Sequence, residues 1–292
     1  MNRMPFLEVA REGKNSFWHY ALSLPFILGA WVFLGSGIAA IFLFLEWSLH
    51  PAAPVTLDDN TPLVFSGFML SFLPWLLATM LAVRIIHQRP IRTLITAFER
   101  PRLGRIAQGF GYWLLLIALV SLLEAWLYPG RYRFSFPPEW WRYLFPALIL
   151  IPIQTSTEEI FFRGYLLQAL GLKIRNLPLL ILLSALFFAL PHLSNPELSQ
   201  NFWLVMSSYF LTGLVASWIT LRDHGLELAL GMHAANNLFS LVANYPNSAI
   251  NIPAIFAIRE LDPVYGLVAQ IFASLLFLWL AFRGKNNQNE SV

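Results

Sequence analysis

Three apolar stretches of this sequence carry side chains that a lipid interior tolerates only for a reason. Residues 155–163 place Glu158, Glu159 and Arg163 within a long, mostly apolar segment. Residues 188–192 end a second run on Pro191 and His192. Residues 233–237 place His233, Asn236 and Asn237 in a third. A charge at the bilayer centre costs at least ~2.5–3.5 kcal/mol even on the most lenient scale. Interhelical glue would pair charges locally; it would not spread an acid and two imidazoles over three segments. Such a set is suited to carrying protons near neutral pH. The chain has no Cys, and no Ser in these stretches sits beside a basic partner, so a covalent nucleophile is not suggested.

Helical spacing sorts these residues. Glu159 and Arg163 are i, i+4 with the acid on the N-terminal side, the better orientation for an ion pair. A purely structural role for this pair stays open. Glu158 is rotated about 100° from Glu159 and need not join it. His233 and Asn237 are again i, i+4 and can face one cavity, whereas Asn236 points elsewhere. Gly231, Ala234 and Ala235 would let a neighbouring helix approach closely.

The elements that carry these residues follow from composition. Hydrophobic residues make up 57% of the 292-residue chain and charged residues 12%. That excludes an ordinary globular enzyme, a disordered chain and a disulfide scaffold. The expected fold is all-α, a polytopic transmembrane helix bundle. About eight spans are expected, at roughly 20–45, 64–86, 108–128, 143–170, 177–193, 202–221, 226–243 and 264–282. The candidate site lies among spans four to seven. The first segment starts late and lacks a small-residue cleavage site, unlike a cleavable signal peptide. Glu46, His19 and Glu124 sit near span ends, as interfacial or singly paired residues would.

With both termini in the cytoplasm, 14 of 19 basic residues fall inside and 4 outside, Arg163 lying within a span. That is the positive-inside asymmetry. The facing loop at 49–62 carries Asp58 and Asp59 and no Lys or Arg. Residues 90–105 place Ile91, Leu94, Ile95 and Phe98 among arginines at helical spacing, as in a basic amphipathic helix on the cytoplasmic face; an ordinary basic loop is the alternative. The net charge of +3 is read as a loop excess rather than as nucleic-acid binding. The chain divides into spans one to three with that basic segment (1–142), a helical core (143–245), and a final span with a tail (246–292).

Glu158-Glu159-x-x-x-Arg163, Phe188-x-x-x-His192 and His233-x-x-x-Asn237 resemble the three motifs of the CPBP family of intramembrane proteases. That family covers CAAX proteases and bacteriocin-processing enzymes and is also called Abi. The resemblance covers roughly residues 145–245. It implies that Glu158 and His192 activate the attacking water, while His233 and Asn237 sit where the peptide carbonyl becomes an oxyanion. Glu159 and Arg163 then support the site. The chemistry agrees: peptide hydrolysis needs a base for water, a proton donor for the leaving amine and donors aimed at the oxyanion.

The function expected is therefore an intramembrane endopeptidase acting on membrane-associated or prenylated, CAAX-like proteins or peptides. A proton-coupled transporter is the alternative, disfavoured because the polar residues crowd one half of the chain. A non-catalytic scaffold or immunity factor is the other. No cofactor is firmly implied. Zinc is the one candidate, and Glu158, His192 and His233 would hold it. Asn237 fits oxyanion binding better than zinc ligation, which favours a metal-free scheme. Expected partners are the bilayer and a protein or peptide substrate, without nucleic acid. The expected location is a bacterial inner membrane.

Depth poses a conflict. Counted from the cytoplasmic turns, His192 lies deeper than Glu158, and His233 lies shallower. A common site needs tilt, a shifted turn or a broken fifth span, and Pro191 makes the last reasonable.

Overall fold

The structure is a computed structural model that describes residues 5–51 and 61–283. Asp58, Asp59 and the C-terminal tail lie outside the described residues. Six helices are long and apolar enough to cross a membrane: α1 (Phe17–Leu49), α2 (Pro62–Ile86), α3 (Leu103–Leu127), α5 (Leu177–Ser194), α6 (Phe202–Asp223) and α8 (Pro263–Phe282). These make the chain an integral membrane protein with a largely helical, polytopic bundle.

The two further segments expected as spans are helical but different in kind. α4 covers 140–171, continuous through an internal π-helical stretch. α7 (Glu227–Leu238) is short. Both carry the ionisable residues singled out above, which lowers their hydropathy. α7 packs against α3, α4 and α6.

Caps and prolines set the helix starts. Thr61, Asn176, Asn201 and Asp262 each accept a hydrogen bond from a first-turn backbone N–H of α2, α5, α6 and α8. Pro62, Pro178 and Pro263 stand in first turns, where a missing N–H costs nothing. Glycines let backbones touch. A side chain at Gly231 would run into the Ile106 carbonyl oxygen of α3, and one at Gly109 into that of Leu228. The approach foreseen at Gly231 is thus made by α3.

One end of the bundle is ionic. Arg102 donates to Asp223 at 2.9 Å and to Glu227 at 2.8 Å, and Arg105 donates to Asp223 at 2.7 Å. Both acids are fully buried at the α6–α7 turn. The amphipathic helix expected over 90–105 is not there. Ile91–Leu94 form a single 3-10 turn, Thr96 bridges to Gly225, and α3 begins at Leu103. Leu94 is buried, and its carbonyl lies where a side chain at Gly164 would have to go. Arg89 is buried and donates to Gln168 at 2.8 Å. This segment is packed into the bundle end, and Arg89, Arg102 and Arg105 reach buried acceptors instead of lining one face of a surface helix.

The opposite end adds a small sheet that helical periodicity did not foresee. Strands β1 (Tyr132–Phe134), β2 (Ala243–Asn244) and β3 (Phe256–Ile258) pair in the order β1-β3-β2. β1 is antiparallel to β3, with Tyr132 opposite Ile258, and β2 is parallel to it, with Ala243 opposite Phe256. The span-end acids are paired nearby, as expected. Glu124 accepts from Arg131 and Tyr132, and Glu46 accepts from Thr61.

Candidate active site

The site is built where α4, the end of α5 and α7 meet. α4 contains Pro146 and Pro152 and turns π-helical at Ile160–Leu166, one residue after Glu159. Single π segments inside α-helices often occur at functional sites. Glu158 and Glu159 thus end the α-helical part, and Arg163 lies in the widened turn. α5 stops being α-helical at Ala189, and Leu190–Ser194 continue as a 3-10 turn that carries His192. Pro191, at the start of that turn, lacks an N–H for the helix ladder. The fifth span therefore changes from α to 3-10 winding just before His192, one of the three ways out of the depth conflict.

Glu159 and Arg163 form the expected ion pair, Nη1 to Oε1 at 2.9 Å, with both side chains fully buried. The guanidinium lies over the Phe188 ring, 4.1 Å from its centroid. Phe188 also stands 4.9 Å from the His192 ring and 5.9 Å from the His233 ring, centroid to centroid. The Phe of the second motif thus forms one apolar wall against all three cationic or imidazole groups.

His233 reaches both glutamates. Its Nδ1 lies 2.8 Å from Glu159 Oε1, and its Nε2 lies 3.7 Å from Glu158 Oε2. Glu159 is thus more than a counter-ion for Arg163, because it also orients an imidazole from a different helix. A carboxylate oxygen accepts, so Nδ1 carries the proton, and Nε2 faces Glu158.

Gln154, one helical turn before Glu158, was missed from the sequence. Its Nε2 donates to Glu158 Oε1 at 2.7 Å, and its Oε1 accepts from Asn237 Nδ2 at 3.0 Å. It therefore joins α4 to α7. The i, i+4 spacing of Gln154 and Glu158 was the available signal. One Asn237 amide hydrogen is used on Gln154, and the amide has a second to donate. Asn236 points toward α3, as expected, and accepts from Trp113 at 3.2 Å, while its own amide donates to Asn237 Oδ1 at 3.2 Å.

His192 completes the set from a third segment. Its Nδ1 lies 2.9 Å from the Phe188 carbonyl oxygen, which can only accept. Nδ1 therefore carries the hydrogen, and in the neutral ring Nε2 holds a lone pair. His192 and His233 share the Phe188 ring as a neighbour. Glu158 with Gln154 and Asn237, and Glu159 with Arg163 and His233, thus form two hydrogen-bonded groups that meet at the 3.7 Å Glu158–His233 contact, with His192 beside them.

Glu158, His192 and His233 are donor types that zinc accepts. Among the described residues, however, no three His, Asp or Glu side chains converge closely enough to hold a metal ion. Glu158 and His233 instead face each other directly. As arranged, the three do not fit a metal centre.

Residues 138–239 match the family described as type II CAAX prenyl endopeptidase Rce1-like. Along nearly its whole length the chain is also similar to the uncharacterized protein YyaK of Bacillus subtilis (strain 168). The two are 34% identical over 296 residues, which is 96% of this chain and 97% of that protein. The chain belongs to the Rce1-like CAAX endopeptidase family. The family match spans all the residues of the cluster, from Gln154 to Asn237. Membership in a CAAX protease family supports a membrane-associated, protease-type activity in general. No solved structure matches the chain.

Proposed function

We propose that this protein is an intramembrane endopeptidase that hydrolyses peptide bonds in membrane-associated or prenylated, CAAX-like substrates. The observation that carries the reading is the cluster of two meeting groups made by Gln154, Glu158, Glu159 and Arg163 of α4 with His233 and Asn237 of α7. A structural ion pair needs only Glu159 and Arg163. The cluster adds a second carboxylate, held by Gln154, whose Oε2 makes no hydrogen bond among the described residues.

In the scheme we favour, a water molecule attacks the peptide carbon while Glu158 takes one of its protons. His192 Nε2, with its lone pair outward, helps to orient and polarise that water. The free Asn237 N–H donates to the oxyanion, and so does His233 Nε2 when both ring nitrogens are protonated. Glu158 then returns the proton to the leaving amine, which balances the reaction. Glu159 keeps His233 oriented, and Arg163 offsets the charge of Glu159.

We further propose that α4 and α7 also cross the membrane, giving eight spans with both termini in the cytoplasm of a bacterial cell. The site would then lie in the 143–245 core, flanked by the 1–142 and 246–292 parts. A transporter would also bury Glu and His, but it has less use for amide donors ranged beside a carboxylate.

The test is a comparison of protein C-termini across the proteome of cells with wild-type protein or Glu158→Gln. The reading expects a set of new C-termini that appears only with the wild type. Identical sets in the two strains would count against proteolysis.

A further inference from the structure

We infer that Tyr209 and Glu197 are positioning residues for His192, fixing the plane and tautomer of its imidazole. The inference rests on the reading of His192 as a water-orienting base. His192 is half-buried in a 3-10 turn, beyond the end of the α-helical ladder of α5. Its own segment supplies one restraint, the Nδ1 contact with the Phe188 carbonyl.

A second restraint comes from α6. The Tyr209 ring lies against the imidazole with centroids 4.1 Å apart and planes inclined by 31°. Tyr209 is itself held at its far end. Its hydroxyl donates to Glu197 Oε1 and accepts from Asn195 Nδ2, the latter at 2.7 Å. Glu197 is only 4% exposed, and its second carboxylate oxygen has no hydrogen-bond partner among the described residues. Burying a carboxylate with one oxygen unpaired is costly. The same short stretch, 192–197, thus carries the imidazole and both groups that hold its stacking ring.

A base displaced by about 1 Å can lose about 10²-fold in rate, so a ring anchored on a buried carboxylate has a clear use.

The experiment uses the full chain in lipid nanodiscs with 15N-labelled histidine. The His192 signals are assigned by their loss in His192→Gln. Wild-type protein is expected to show His192 as a single Nδ1–H tautomer. Tyr209→Leu, which removes the ring, should give averaged or broadened nitrogen shifts for His192 alone. Tyr209→Phe keeps the ring but frees it from Glu197, and should fall between the two. With a farnesylated CAAX peptide as the probe, Tyr209→Leu should lower kcat about 10–100-fold and leave KM little changed.

A residue that merely staples the loop would lower thermal stability without moving the tautomer signature. Should Tyr209→Leu fail to insert, Glu197→Gln and Tyr209→Phe carry the same spectral test. His192 signals superimposable on wild type in every folded variant would overturn the inference. A locked tautomer that Tyr209→Leu loosens, in a protein that cleaves no peptide, would sink the protease reading and leave the positioning role standing.

Discussion

Oε1 of Glu159 is shared: it accepts from Arg163 at 2.9 Å and lies 2.8 Å from Nδ1 of His233. One carboxylate oxygen therefore links an arginine on its own helix to an imidazole 74 residues away. The adjacent Glu158 takes no part in that link. Two neighbouring acids thus have different work, and substitutions should separate them.

Glu158→Gln keeps the shape and the acceptor used by Gln154. It should abolish cleavage while thermal unfolding stays near that of the wild type. Glu159→Gln should lower thermal stability and activity together, since it strands Arg163 in a fully buried position; breaking such a pair costs about 3–5 kcal/mol. Parallel thermal melts and peptide-cleavage rates check both. Full activity in Glu158→Gln would remove it from the mechanism.

Asn237→Ala should reduce kcat more than it raises KM. Loss of one oxyanion donor in a protease costs about 10²–10³ in rate. Gln154→Met should also slow cleavage, because it releases Asn237 and Glu158 at once. Steady-state kinetics on a farnesylated CAAX peptide measures both. A change confined to KM would indicate a substrate-binding role for Asn237 instead.

His87, at the ionic end of the bundle just beyond α2, makes stability depend on pH. Burial pushes its imidazole down to about 4, with nearby Arg89 acting in the same direction. The unfolded chain would bind its proton near pH 6.5. A folded value below the unfolded one means that the unfolded state holds more protons between the two. Stability is therefore fully present above about pH 6.5 and falls as pH drops toward about 4, by at most about 3 kcal/mol. Melting temperatures from pH 7.5 to 4.5 should show this decline, and His87→Gln should flatten it. An equally steep decline in His87→Gln would assign the effect to other groups.

Gly231→Val should block assembly of the site without altering any of its polar side chains. A side chain there meets the Ile106 carbonyl and the Phe110 amide nitrogen of α3, which are backbone atoms that cannot swing aside. Low yield or a clearly depressed melting temperature is expected. Wild-type stability would show that α3 and α7 are less closely packed than described.

The proposed orientation can be read by cysteine labelling, because the native chain has no Cys. Asn247→Cys, near the sheet, should react with an impermeant reagent from outside. Arg92→Cys, at the ionic end, should react only once the membrane is opened. Labelling of both from the same side would contradict a bundle with these two ends.

The sequence by itself determined the solvent and the site's raw materials. Its apolar runs required a helical membrane bundle, and the spacing of Glu159 and Arg163 required a shared helix face; both are local, because hydropathy and the 3.6-residue turn act over a few residues. The change of winding just before His192 was legible for the same reason, since Pro191 acts on its own turn. Only tertiary structure decided who meets whom. His233 on Glu159, Asn237 on Gln154 and Tyr209 on His192 depend on how whole helices dock, set by close contacts such as Gly231 on Ile106. The arginines of 89–105 show the limit most clearly. Their spacing suits a lipid-surface helix, yet Arg102 and Arg105 meet buried acids 118 to 125 residues away. A repeating pattern tells which side chains share a face; it does not tell whether that face meets lipid, water or Asp223 and Glu227.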